Sequence, residues 1–107
     1  MARPKRQWQI PIAQIKLIEM NMAEDRRQGA KHNGKRIVNR TKTIIEDIFL
    51  HEPECQFDIK RIGRRQVIGH FKRIRHETEA VRREKYAALN RLFIKLSKPL
   101  PPMDKLI

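Results

Sequence analysis

The chain has 107 residues and a mass of 12.8 kDa, and 39% of the residues are hydrophobic; 25 Lys and Arg face 12 Asp and Glu, for a formal net charge of +13. That length supports one modest core and excludes two, while the charge directs the chain toward a polyanionic partner. The single cysteine, Cys55, excludes an intramolecular disulfide and makes a reducing compartment such as the cytoplasm the simplest setting.

Residues 1–9, MARPKRQWQ, read as a flexible basic arm, because they have little to bury and Pro4 blocks an early helix. The next stretch, PIAQIKLIEMNMAE, predicts a first helix with Pro11 at its first position and Ile15, Ile18 and Met22 on one side. Lys16 and Glu19 interrupt it. No run is therefore apolar enough for a bilayer span or a signal peptide, and no membrane partner is expected. DRRQGAKHNGKR reads as a connector, since Gly29 and the Asn33-Gly34 pair are turn formers and nothing apolar recurs. A second helix fits 38–50, where Thr41, Ile44, Ile45, Ile48 and Phe49 hold the spacing of a buried stripe and Pro53 follows as a stop.

HEPECQFDIKRIG predicts a loop anchored by Phe57, Ile59 and Ile62. A third helix follows from Arg64, with Gln66 placed to help cap it. Val67, Ile68, Phe71 and Ile74 share one arc, and Arg65, Gly69, Lys72 and His76 form a stripe roughly 130° away at 3.6 residues per turn. A fourth helix starts after Thr78 as N-cap and runs to Ser97 before Pro99, with Val81, Ala88, Leu89, Leu92, Phe93 and Leu96 inward and Arg83, Tyr86 and Asn90 on another face. Arg82 and Lys85 fall beside its inner arc, so its first turn is expected to overhang the packed body with the Lys85 stem reaching outward. KPLPPMDKLI reads as an extended tail or linker over 99–107. The expected fold class is all-α: a compact bundle of about four helices forming one domain over 10–98.

The chemistry is concentrated in residues 60–85, which carry ten Lys and Arg against three Glu. Such clustering favours nucleic acid through counterion release. The candidate contacts are Arg64, Arg65, Gly69, Lys72, Arg73, Arg75, Arg82, Arg83 and Lys85, mainly toward phosphates, with Tyr86 and Asn90 toward phosphates or base edges and Arg3, Lys5 and Arg6 trailing along a groove or the backbone. Gly69 serves either close approach to the nucleic acid or close packing against another helix. Four histidines and one cysteine show no ligand spacing for a metal. Glu46 with Asp47, and Glu52 with Glu54, read as solvated charge, and there is no phosphate loop or nucleophile elbow. No catalytic residue, metal, cofactor or small-molecule substrate is expected.

Three pieces in order, GKRIVNRTKTIIEDIF, IKRIGRRQVIGHF and AVRREKYAALNRLFIKLSKP, resemble the N-terminal core-binding domain of tyrosine recombinases, the phage integrase family. The positions that carry the resemblance are Thr41, then Ile62 with Arg64 and Arg65, then Leu92-Phe93 leading to Ser97-Lys98-Pro99, and it covers roughly residues 15–99. Ser97 stands where the family pattern has glycine, and the loop with Pro53 and Cys55 is short for the family. The resemblance implies a SAM-like helical bundle that grips one face of double-stranded DNA in site-specific recombination and DNA integration, in the setting of a mobile genetic element. In that family the cleaving tyrosine and its partners belong to a separate catalytic domain, so a recombinase catalytic domain is an implied partner. Both an excised domain and a free-standing accessory protein fit. A structured-RNA-binding or ribosome-associated helical protein is the alternative, lowered by an aromatic content of 6%.

Overall fold

In the computed structural model, which describes residues 7–28 and 33–106, every regular element is helical. The α-helices are α1 (Ile12–Asn21), α2 (Ala23–Gln28), α3 (Asn33–His51), α4 (Arg64–Arg73), α5 (Glu79–Lys95) and α6 (Met103–Leu106). Short 3-10 turns at Pro53–Cys55 and Ile59–Arg61 lie between α3 and α4. The four longer helices α1, α3, α4 and α5 make the expected all-α bundle. A Cα radius of gyration of 13.5 Å matches the ~13 Å of a folded chain of about 100 residues.

The bundle is built around α3, which packs on α1, α2, α4 and α5. Its stripe of Thr41, Ile44, Ile45, Ile48 and Phe49 is buried, as the three-and-four spacing predicts. Thr41 brings a hydroxyl into this core and satisfies it by donating to the Ile37 carbonyl at 3.0 Å. Each fully buried aliphatic side chain in the stripe contributes about 2 kcal/mol of transfer free energy. Ile18 and Met22 of the first segment, Val67, Phe71 and Ile74 of α4, and Leu89, Leu92 and Phe93 of α5 complete the interior.

The ends of these helices differ from the expectation at several points. Pro11 precedes the first helical residue instead of occupying it, and its carbonyl accepts from the Gln14 and Ile15 amides at 2.9 and 3.0 Å. The described parts of the expected connector over 25–36 are helical: α2 runs to Gln28, and α3 begins at Asn33, five residues before the expected start. The tertiary contacts of α2 with α3 outweigh the turn preference of Asn-Gly. Part of the expected arm is docked: Trp8 packs on the core, and the Gln9 amide donates to Glu46 Oε2 at 2.8 Å.

Between α3 and α4, Ile59 and Ile62 anchor the loop, but Phe57 is half exposed and Cys55 takes the buried place. Gln66 Oε1 accepts from the Gly63 amide at 2.9 Å and so caps α4 from within. Thr78 caps α5 by accepting from the Val81 amide at 3.2 Å. α5 ends at Lys95, two residues short of Ser97, in a Schellman turn where the Lys98 amide donates to the Phe93 carbonyl and the Ser97 amide to Ile94, with Ser97 at φ 54°. The segment after Pro99 is not an extended tail. It folds back, forms α6 against α4, and buries Pro101 with Leu100 and Leu106 packed on the core. No helix among the described residues is long and apolar enough to cross a membrane.

Candidate nucleic-acid interface

α4 divides its residues cleanly. Val67, His70, Phe71 and the capping Ile74 are buried in the core, while Arg64, Arg65 and Lys72 are exposed. Between those cations, Ile68 and Gly69 line an open groove of about 470 Å³ whose far wall is Glu52. Lys60 and Arg61 are exposed just before α4, and Arg75 and His76 just after it. None of Lys60, Arg61, Arg64, Arg65, Lys72 and Arg75 forms an ion pair among the described residues.

The cations of the other helices are treated differently. Arg36 and Arg40 of α3 converge on Glu84 at 3.1 and 2.8 Å. Lys42 lies 3.3 Å from Glu19 with its ammonium 6.0 Å from the centre of the Trp8 ring. Lys95 meets Glu24 at 3.4 Å, and Arg83 meets Glu79 at 2.9 Å one turn earlier. The other cations without an ion pair among the described residues, Lys16, Arg27, Lys35, Arg82, Lys98 and Lys105, are spread over α1, α2, α3, α5, the turn after α5 and α6. Carboxylates thus neutralise much of α3 and α5, and positive charge accumulates on 60–76.

Several residues expected to touch a ligand are committed inside the fold. Arg73 donates from Nε to Asp47 Oδ2 at 3.0 Å and from Nη1 to Glu52 Oε2 at 2.7 Å. Burial works against its charge, but these two carboxylates raise its pKa and hold it cationic. Lys85 does not reach outward: it is 6% exposed, with Nζ 2.8 and 3.1 Å from the two Glu77 carboxylate oxygens. Its position beside the inner arc placed it under the loop that returns from α4, where Glu77 supplies the partner a buried ammonium needs. Tyr86 is half-buried beside Phe71, and its hydroxyl donates to the Pro101 carbonyl at 2.8 Å. It binds the C-terminal segment and is not free for a base.

Arg82 is half-buried, donating to the Glu77 carbonyl at 3.2 Å, and Asn90 is half-buried on α5. Arg83 is exposed but shared between Glu79 and the Met103 sulfur. A Cβ at Gly69 would lie 3.0 Å from Glu52 Oε2 and 3.2 Å from Arg73 Nη1, so the missing side chain makes room for that ion pair at the groove floor. Arg3, Lys5 and Arg6 lie outside the described residues. Of the sequence candidates, the groove on α4 thus brings together Arg64, Arg65 and Lys72 with Gly69 between them, and Arg75 is exposed just past the end of the helix.

Two features were overlooked. Lys60 and Arg61 are exposed cations without an ion pair among the described residues just before α4, and their signal was present in the charge count of 60–85. His70 is 1% exposed and sits at the 67, 70, 71, 74 spacing of the core face, with Nδ1 2.6 Å from Asp47 Oδ2. Asp47 is therefore a structural partner rather than solvated charge. Burial and the nearby Glu54 and Glu52 charges push the Cys55 thiol up to about 11, so it is protonated at neutral pH. Among the described residues no group of three His, Cys, Asp or Glu side chains is arranged to hold a metal. Comparison with known proteins returned no matching family model, no matching curated protein and no matching solved structure.

Proposed function

We propose that the chain is a non-catalytic double-stranded DNA-binding module that acts in the cytoplasm as a core-binding domain of tyrosine recombinase type, or as a free-standing accessory to such recombination. The observation that carries this reading is the distribution of charge. Six exposed Lys and Arg within 60–76 lack an ion pair among the described residues, whereas most cations of α3 and α5 are neutralised. A rigid helical ridge of this kind suits phosphates spaced along a duplex, and the helix supplies the register. Lys60, Arg61, Arg64, Arg65, Lys72 and Arg75 contact phosphates in this reading, and Gly69 with Ile68 forms the recessed surface between them.

Two local features support the family resemblance. Ser97, where the family pattern has glycine, adopts the left-handed backbone that glycine favours. Ile62, which introduces the basic pair Arg64 and Arg65, is a fully buried anchor, so the pair is presented from a fixed point.

Neutralising about six phosphates gives a slope near −5 for log affinity against log salt. The test is titration of a labelled duplex at several salt concentrations by the native chain and by the double variant Arg65→Glu/Lys72→Glu. The reading requires a steep slope and a loss of at least about two units of it in the variant. An unchanged slope overturns the placement of the face. Competition at fixed salt separates the remaining choice: structured RNA displacing the label better than duplex DNA replaces this reading with an RNA-binding one.

A further inference from the structure

Gln56 and Phe57 are consecutive non-glycine residues in left-handed backbone, at φ 51° and 56°. Gln56 has a local reason, since it closes the 3-10 turn by donating its amide to the Pro53 carbonyl. Phe57 has a less evident one. Its strained backbone is not repaid by burial, because the side chain remains 50% exposed. The ring meets the Phe49 ring edge-on, with centroids 5.7 Å apart, which fixes its direction without covering it.

The loop that carries Phe57 is clamped at several points. The Ile59 amide donates to Gln14 Oε1 at 2.9 Å, Gln66 donates to Glu54 Oε1 at 3.2 Å, and Lys98 Nζ donates to the Lys60 carbonyl at 2.9 Å. Phe57 is thus a rigidly held ring on a fixed loop. Lys60, Arg61, Arg64 and Arg65 follow it in the chain, and the carboxylates of the same loop are each engaged: Glu52 with Arg73, Glu54 with Gln66 and Asp58 in capping Lys60.

Resting on the DNA-binding reading above, we infer that Phe57 is an apolar wedge that enters a base step of the bound duplex. An exposed aromatic ring on a loop that leads into unpaired cations suits a partner that offers both dense negative charge and flat apolar faces, and a base step flanked by phosphates has both. Insertion unstacks the step and kinks the duplex, bringing more phosphates toward Arg64 and Arg65. The wedge contributes affinity and bend. The cations contribute the salt dependence.

The experiment uses the full chain and a duplex of about 25 base pairs labelled at both ends for energy transfer. Phe57→Gly removes the ring and relieves the left-handed strain, so loss of folding does not confound it, and thermal unfolding is recorded to verify this. The expected result is that the native chain shortens the end-to-end distance, while Phe57→Gly binds about tenfold more weakly without bending and keeps the salt slope. Phe57→Leu restores the bend. A native complex with straight DNA, or a Phe57→Gly complex equal to the native one in affinity and bend, overturns the wedge and leaves the basic face standing. Absence of duplex binding by the native chain overturns both.

Discussion

His70 Nδ1 lies 2.6 Å from Asp47 Oδ2, and the same oxygen accepts from Arg73 Nε at 3.0 Å, so one carboxylate joins the middle of α4 to the last turns of α3. An ionised carboxylate only accepts, which puts the imidazole proton on Nδ1. Arg73 continues to Glu52, and Glu52 forms the wall of the groove beneath Gly69. The polar cluster therefore fixes the distance between the cationic ridge and the core beneath it.

Removal of Asp47 is the sharpest test of that linkage. Asp47→Ala leaves the buried His70 Nδ1 and the half-buried Arg73 without their shared acceptor, and is expected to cost about 2 kcal/mol. Both Asp47 and Arg73 keep about a quarter of their side-chain exposure, which holds the cost below that of a fully buried pair. Urea denaturation of the variant and the native chain measures it. A difference under about 0.5 kcal/mol would show that water replaces the carboxylate without loss.

The same carboxylate sets an acid limit. Burial opposes its ionisation, yet the hydrogen bonds from His70 and Arg73 and their charges bring its pKa down from 3.8 to about 2. A depressed folded-state pKa stabilises the fold fully above the unfolded value, and this contribution is lost as pH falls from about 4 toward 2. Native stability is expected to drop across that interval more steeply than that of Asp47→Asn. Parallel slopes for the two proteins would remove Asp47 from the acid response.

Much of the scaffold was legible because it obeys one rule. The stripe from Thr41 to Phe49, the pair Val67 and Phe71, and the caps Gln66 and Thr78 follow from helical spacing and orphan amides alone. Tertiary contacts decided the rest. Spacing located Arg65 and Lys72 on an open face, but nothing local reveals that Glu77 comes back over Lys85 or that Pro101 returns to Tyr86. Arg73 looks like a phosphate ligand until Asp47 and Glu52 are seen 26 and 21 residues upstream. Local pattern gave the faces of the helices, and long-range pairing determined which cations remain available.

That distinction separates two lysines. Lys72 is exposed without an ion pair among the described residues, whereas Lys85 is buried against Glu77. Lys85→Met keeps a side chain of similar length but leaves the largely buried Glu77 carboxylate without its partner, so it is expected to cost about 2 kcal/mol or more while leaving duplex affinity and salt slope untouched. Lys72→Met should do the reverse, with stability unchanged and the slope reduced by about 1. Equal effects of the two substitutions on binding would show that burial does not sort the cations of this chain.

The C-terminal segment gives a prediction independent of any ligand. Tyr86→Phe keeps the ring beside Phe71 and removes only the bond to the Pro101 carbonyl, which should cost about 1 kcal/mol and speed amide exchange at Lys105, whose amide donates to the Pro102 carbonyl. Exchange in α3 should stay as it was. Uniformly faster exchange would mean that residues 99–106 are part of the global folding unit.

Ser97 tests the turn that leads into that segment. Its φ of 54° places an exposed L residue at the left-handed position of a Schellman turn, where the Cβ crowds the following carbonyl at a cost of about 1 kcal/mol. Glycine pays no such steric cost but gains freedom in the unfolded chain, and the first effect is the larger here because the turn is fixed by two hydrogen bonds, from Lys98 to Phe93 at 2.8 Å and from Ser97 to Ile94 at 3.1 Å. Ser97→Gly should therefore stabilise the protein by a few tenths to about 1 kcal/mol, seen as a higher urea midpoint at constant m. Ser97→Val, with a branched side chain at the same angle, should destabilise it by more than 1 kcal/mol or so. Loss of stability in the glycine variant would mean that the turn is held elsewhere, by the packing of Leu96 and Leu100 on the core.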